Sequence, residues 1–439
     1  MEIKDLIVTP FYLIVLYILA YAIRPYVTDE VNRKYFIPAL SVKFFGAIAL
    51  GLIYQFYYGG GDTFTYFHLG SRYVWNAFLD SPSTAFQMIF GDMTYTSENF
   101  EYASRIYTYG DDASYFVVRV AGFLDLFTFS TYTATALLFA TLSFSGIWMI
   151  FLVFYNFYPR LNKQIAIAVL FVPSVFFWGS GLMKDTLTLG ALGWLFYGFA
   201  QVLIFRRNLI IGSILFLLGF YTLYTVKIYI IICFLPALAF YLYFQYQGRI
   251  NNTLVRYLLA PILISLGILS AYYTTLLVSA GHYRYSVDNV LYTAEQTAKW
   301  NYFVSQRDAG SGYTLGDYDF TTSGLVRKFV PAVVTAFFRP FLWEVRNPVM
   351  LLSALENMII AWLFLSIALK VGNWQLLSTE PIIVLCLVFS LFFGFAIGVT
   401  TYNFGSLMRY KIPMLPFLIM GLLLLKNGRK TSLDRSHTA

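Results

Sequence analysis

Three consecutive glycines, Gly59, Gly60 and Gly61, lead into Asp62, Thr63, Phe64, Thr65 and Tyr66. Glycine lets the backbone turn sharply and lets a ligand approach closely. The run therefore offers one carboxylate where a substrate hydroxyl could meet it, and a carboxylate within hydrogen-bond reach of a hydroxyl can accept its proton. A plainer reading makes Asp62 the cap of a helix that begins at Thr63.

A second run extends from Pro173 through Phe177, Trp178, Gly179, Ser180 and Gly181 to Lys184 and Asp185. Lys184 and Asp185 would open a helix whose free N–H groups and dipole already favour an anion, so a phosphate there would meet an ammonium. The alternative is a lysine that snorkels to the surface beside a helix-start acid. A third run, from Asn403 to Pro413, puts Arg409 and Lys411 in a short connection. Arg339 and Glu344 stand together before the next apolar run, and Glu356 falls about two turns into it. An ionisable group at such depth is a functional candidate, with an ion pair to Arg339 or Arg346 as its structural alternative. Asp111 with Asp112, and Asp317 with Asp319, could ligate a divalent cation or be solvated loop acids. Cys233, Cys386 and the three histidines show no metal-ligand spacing, so neither a metal nor a cofactor is indicated.

The elements that must position these residues are membrane helices. Of the 439 residues 59 % are apolar and only 12 % charged, where a soluble domain carries about 25 % charged residues. Apolar runs near the ~20 residues needed to cross a bilayer lie at about 6–24, 37–57, 131–155, 165–180, 185–205, 209–225, 228–246, 257–279, 349–370, 382–402 and 411–425. They predict an all-α polytopic transmembrane bundle of about eleven spans. Residues 1–425 would form one integral membrane domain with large loops at 58–130 and 280–348, followed by a polar tail at 426–439. The N-terminus lacks the positive segment of a cleaved signal, so the first run reads as a retained span.

Arg24, Arg33, Lys34, Arg160, Lys163, Arg206, Arg207, Arg249, Arg256, Lys370 and the tail bases fall on one side of this map, opposed by Asp29, Glu30, Glu380 and Asp434. The positive-inside rule makes that side cytoplasmic and places the N-terminus and both large loops outside. The net charge of +8 comes from such scattered residues and from no Lys/Arg run, so nucleic acid is not an expected partner. Lys184, Lys227, Arg409 and Lys411 break the trend, which an external lipid phosphate or diphosphate would explain. The stretch 114–128 sets Arg119, Gly122 and Asp125 on one helical face and reads as an interfacial helix, and 325–343 reads as a second interfacial or re-entrant one.

The Gly-Gly-Asp62-Thr-x-x-Tyr66 run, the Pro-Ser-x-x-Phe-Trp-x-Ser-Gly-x-x-Lys184-Asp185 run and the late Arg409-Tyr410-Lys411 resemble bacterial polytopic sugar transferases. Both the GT-C glycosyltransferases and the Wzy/EpsG-type polysaccharide polymerases fit this likeness. GT-C enzymes typically set a catalytic aspartate in the first large external loop. Asp62 matches that position but follows the second span, and no Asp-x-Asp pair accompanies it.

The resemblance implies transfer of a sugar or oligosaccharide from a polyprenyl-phosphate or diphosphate donor, at the outer face of a bacterial inner membrane, for the cell envelope. Asp62 would be the base, with Glu344 and Glu356 as further catalytic carboxylates. Lys184, Arg339, Arg409 and Lys411 would hold phosphate beside Asp185, and Tyr66 and Trp178 would face sugar or lipid. Membrane lipid and a polyprenyl-linked sugar are the expected partners. A transporter or flippase of an amphipathic anion, or a non-catalytic assembly protein, remains open on the residues alone. Reporter fusions at Arg207 and Lys430 should read as cytoplasmic and fusions at Thr96 and Gly312 as external; an external reading at Arg207 would overturn this map.

Overall fold

The computed structural model describes residues 2–247, 295–300, 311–316, 322–368 and 380–427, with residues 292, 303 and 376. The expected span at 257–279, the acids Asp317 and Asp319 and nearly all of the polar tail lie outside the described residues. The described residues fold into helices and form no strand, with one isolated bridge between Gly312 and Asn403. Among them seven helices are long and apolar enough to cross a membrane, or eight if a pair bent by 69° makes one crossing. The protein is a polytopic all-α membrane protein built as two compact units, Met1–Ile228 and Tyr229–Ala439.

In the first unit, long helices α1 (Ile3–Val27) and α2 (Arg33–Phe56) precede a layer of short ones: α3 (Asp62–Tyr66), α4 (Arg72–Asp80), α5 (Pro82–Phe90), α6 (Phe100–Ala103) and α7 (Asp112–Thr128). The long helices then resume with α8 (Tyr132–Phe157), followed by α9 (Asn162–Leu170), α10 (Pro173–Trp178) and α11 (Lys184–Phe199), which runs on as a π-helix to Phe205. Helix α12 (Leu209–Tyr246) is broken at Lys227, whose φ of −148° and ψ of 73° leave the helical region. The second unit adds α13 (Thr322–Phe338), α14 (Pro348–Ala368), α15 (Pro381–Thr400), α16 (Phe404–Tyr410) and α17 (Leu415–Asn427).

The centre of the first unit is the pair α8 and α11. A Cβ on Gly146 would overlap the Gly190 carbonyl, and one on Gly193 would overlap the Gly146 carbonyl. Small residues let membrane helices approach this closely, where packing and not hydrophobic burial supplies the attraction. Contacts of Gly146 with Gly190, Phe154 with Phe196 and Phe157 with Phe205 advance together along both helices, so the two run parallel. The intervening chain must therefore return along the length of the bundle. It does so in two pieces, α9 and α10, where the hydropathy predicts one span at 165–180. Pro173 is the cause: it lacks an N–H and disfavours a helical residue before it.

The break at Lys227 falls between the spans expected at 209–225 and 228–246, so α12 comprises two helical pieces; the last expected span, 411–425, begins at Leu415 as α17, and α16 lies in the connection expected before it. Helix α7 realises the expected helix at 114–128, and α13 the one at 325–343. A Cβ on Gly398 would overlap the Ala332 carbonyl, so α13 lies tight against α15.

Because the α8–α11 seam has no room for a side chain, Gly146→Val should cost about 1–3 kcal/mol, the usual penalty of overpacking. Gly110→Ala, with nothing within 4 Å of the added carbon, should be close to neutral. Melting of the two purified variants in detergent checks this, and equal melting temperatures would contradict it.

Candidate functional site

The first unit gathers one charged cluster where its short helices meet the ends of its long ones. Gly59, Gly60 and Gly61 all have positive φ, 68°, 142° and 128°, and a Cβ on Gly61 would meet the Tyr54 ring at 2.7 Å. Only glycine satisfies both conditions at that position. Asp62 then opens α3 with Gly61 in the N-cap position, and no side chain caps the helix. The Thr63 hydroxyl bonds the Tyr132 hydroxyl at 2.8 Å and ties α3 to the start of α8. Asp62 is solvent-exposed and close enough to Lys184 for the two charges to act on each other.

Lys184 is the first residue of α11. Its Nζ lies 3.4 Å from Asp111 Oδ2, and its side chain keeps 22 % of its exposure. A contact of that length is at the weak end for a charged pair, so the ammonium retains donor capacity toward a further anion. Asp185, by contrast, is buried, and its Oδ1 accepts a hydrogen bond from Lys227 Nζ at 2.5 Å. Removing either partner of a buried pair leaves an uncompensated charge. Asp185 is thus a fixed support beside Lys184, and it supplies the counterion for one of the lysines that break the positive-inside trend.

Trp178 and Tyr66 are both buried. Trp178 meets Tyr54 edge-on at 6.5 Å and so backs the Gly61 turn, while Tyr66 belongs to the apolar core beneath α3 and α7.

Lys43, in the middle of α2, is also buried. Its Nζ donates to Ser143 Oγ at 2.9 Å and to the Gly179 carbonyl. That carbonyl ends α10, where helix termini leave acceptors unsatisfied. Lys43 thereby pins the Gly179 to Met183 bend that delivers Lys184 to its place. Hydropathy reading passes over Lys43 because one lysine does not interrupt an apolar run. An ionisable residue in a span was the signal that could have found it.

The second unit holds the other sequence candidates. The Arg339 Nε donates to both Glu344 oxygens at 3.0 and 3.1 Å, and Nη2 donates to Oε1 as well. The guanidinium also lies over the rings of Tyr313, 5.4 Å away, and Phe404, 5.1 Å away. Burial favours the neutral form of Glu344, but the Arg339 bonds and the Phe341 N–H prevail and hold its carboxyl below the ordinary 4.5. Such a carboxylate is a weak base.

Lys411, expected in an exposed connection, is fully buried and donates to Asn357 Oδ1. Buried Glu356 lies within electrostatic range of Lys411. Arg409 is half-buried and lies 5.2 Å over the ring of Tyr410.

Asp62, Lys184 and Asp185 are therefore brought together, and the structure adds Asp111 and Lys227 to them. Asp111 is the ion-pair partner of Lys184. Among the described residues no group of three or more His, Cys, Asp or Glu is arranged to hold a metal ion. Comparison with protein-family models, with curated proteins and with solved structures finds no match. The functional reading consequently rests on residue chemistry and geometry.

The depressed Glu344 carboxyl has a consequence for pH. A folded-state value below the unfolded one adds stability above the unfolded value, and that stability is lost as pH falls through the folded value. Glu344→Gln should cost about 1–2 kcal/mol at pH 7, and the gap to the wild type should close below the ordinary glutamate range. Melting curves of both proteins from neutral to acid pH test this, and a gap that persists unchanged in acid would refute it.

Proposed function

We propose that this protein transfers a sugar or oligosaccharide from a polyprenyl-phosphate or diphosphate donor to an acceptor glycan or lipid, at the extracytoplasmic face of a bacterial inner membrane. The observation that carries the reading is an exposed Asp62, behind a positive-φ glycine turn, within electrostatic range of a half-buried Lys184 at the start of a long helix. The geometry suits an in-place division of labour. Lys184 and the free N–H groups of α11 attract the donor phosphate and stabilise the charge that develops on it as it leaves. Asp62 accepts the proton of the attacking hydroxyl. The Asp185–Lys227 pair and Lys43 hold Lys184 in register without touching substrate. The proposed topology retains about eleven crossings with the N-terminus outside, which puts this cluster where lipid-linked sugars are consumed.

A second reading, a transporter of an amphipathic anion, is favoured by the breaks at α9–α10, at Lys227 and at α16–α17. Discontinuous helices line substrate sites in transporters. The exposed position of Asp62 behind the glycine turn favours the transferase.

Asp62→Asn separates the two. It keeps the size of the side chain and a comparable ability to sit at a helix start, while removing the basic oxygen. Purified Asp62→Asn should lose about 10²-fold or more of sugar transfer with its melting temperature nearly unchanged. Wild-type transfer by the variant would remove Asp62 as the base. Unimpaired uptake of a lipid-linked anion by vesicles with no transfer in either protein would favour the transporter.

A further inference from the structure

Helix α7 is turned the opposite way from a helix at a water-facing surface. Its Asp125 is fully buried, accepting hydrogen bonds from Thr135 Oγ1 at 2.6 Å and Thr128 Oγ1 at 3.3 Å. Gly122 on the same face has no space for a side chain, since a Cβ there would meet Val74 at 2.8 Å. The face left open carries Phe123 and Phe127, both exposed. In water, aromatic rings outside and a carboxylate inside would be a costly inversion.

The exposed rings continue beyond α7. Phe127 touches Phe123 at 5.5 Å between centroids, Phe123 touches Phe90 at 6.1 Å and Phe90 touches Phe86 at 6.3 Å. Phe129, 60 % exposed, meets Trp75 at 6.2 Å. Phe90 is 69 % exposed, and residues 82–90 contain no charged side chain at all. A ridge this continuous marks an interaction surface.

Its height is fixed by α1. Lys4 Nζ donates to the Phe129 carbonyl at 2.6 Å, and the Tyr12 hydroxyl donates to the Phe127 carbonyl. Lys4 and Tyr12 are about 12 Å apart along the helix axis at 1.5 Å per residue, so the ridge lies beside the first turns of α1. Those same turns expose Ile7 and Phe11, the outward side of a helix apolar enough to cross a membrane and little buried by the rest of the protein. The aromatic ridge is laterally continuous with a lipid-facing surface and sits at its level.

We infer that the α5–α7 ridge is immersed in the acyl chains of the membrane leaflet that adjoins α1, so that the short-helix layer is a membrane-inserted element and not a water-exposed loop. This holds whatever chemistry Asp62 performs. Nitroxide labels on Phe90→Cys and Phe127→Cys, in vesicles of phosphatidylcholine and phosphatidylglycerol, report which solvent they meet. Tyr107→Cys, in the same layer but off the ridge and 79 % exposed, is the water control; Cys233 and Cys386 are buried, and wild-type protein gives their background. Collisions with oxygen should exceed those with a water-soluble nickel chelate several-fold at 90 and 127, and the order should reverse at 107. Nickel accessibility at 90 and 127 equal to that at 107 would overturn the inference. So would shielding from both relaxants, which would mean that a protein covers the ridge. A second measurement needs no substitution: a phospholipid bearing a diazirine on its acyl chain should label wild-type peptides 82–90 and 120–129, and absence of label there would be equally fatal.

Discussion

Two helices that run parallel and touch must be joined by a chain that travels back the length of both. In the first unit this constraint comes from the glycine seam of α8 and α11. A bilayer supplies no water to satisfy the backbone of the returning chain. It returns as two helical pieces, α9 against α8 and α10 against α2, and the bend that follows them needs polar partners of its own. Lys43 provides one from inside α2. The position of Lys184 at the head of α11 therefore follows from the seam, through the return segment and the bend it ends in.

The same scarcity of water explains how the interior charges are arranged. Asp185 meets Lys227, Lys411 meets Asn357 beside Glu356, and Arg339 meets Glu344 between two rings. Each of these three cations has a specific neighbour, as the desolvation of an ion in a low dielectric requires. Two of these neighbourhoods coincide with broken helices, at Lys227 and around Lys411. A break frees backbone groups, and a long cationic side chain can reach them. Lys184 differs from this set because its contact with Asp111 is long, at 3.4 Å, which is why binding chemistry is assigned to it and structural roles to the others.

The short-helix layer joins these two themes. Asp111, just before α7, meets Lys184, while the far end of α7 is tied by Tyr12 and Lys4 to the first turns of α1. One helix thus connects the charged cluster to the lipid-facing surface. For an amphipathic lipid-linked substrate, that arrangement would keep the headgroup and the chain each in its preferred surroundings.

The amino-acid sequence by itself determined the class: 59 % apolar residues in runs long enough to cross a bilayer specify membrane helices. It also marked Asp62 through its glycines and Lys184 through its place at a helix start, because turn and terminus signals are local. The expected helices at 114–128 and 325–343 appear close to where their apolar periodicity put them. Proline altered the segmentation at 165–180, since an apolar run continues unchanged across a bend.

Only the tertiary structure decided which charges meet. Lys184 and Asp111 are 73 residues apart in the chain, and Asp185 and Lys227 are 42 apart. It likewise decided that Lys411 is buried and that the polar face of α7 turns inward. Residue type and spacing set what an isolated helix can do. Which side faces a neighbour, lipid or water is settled by how the helices pack, and that depends on contacts no local pattern encodes.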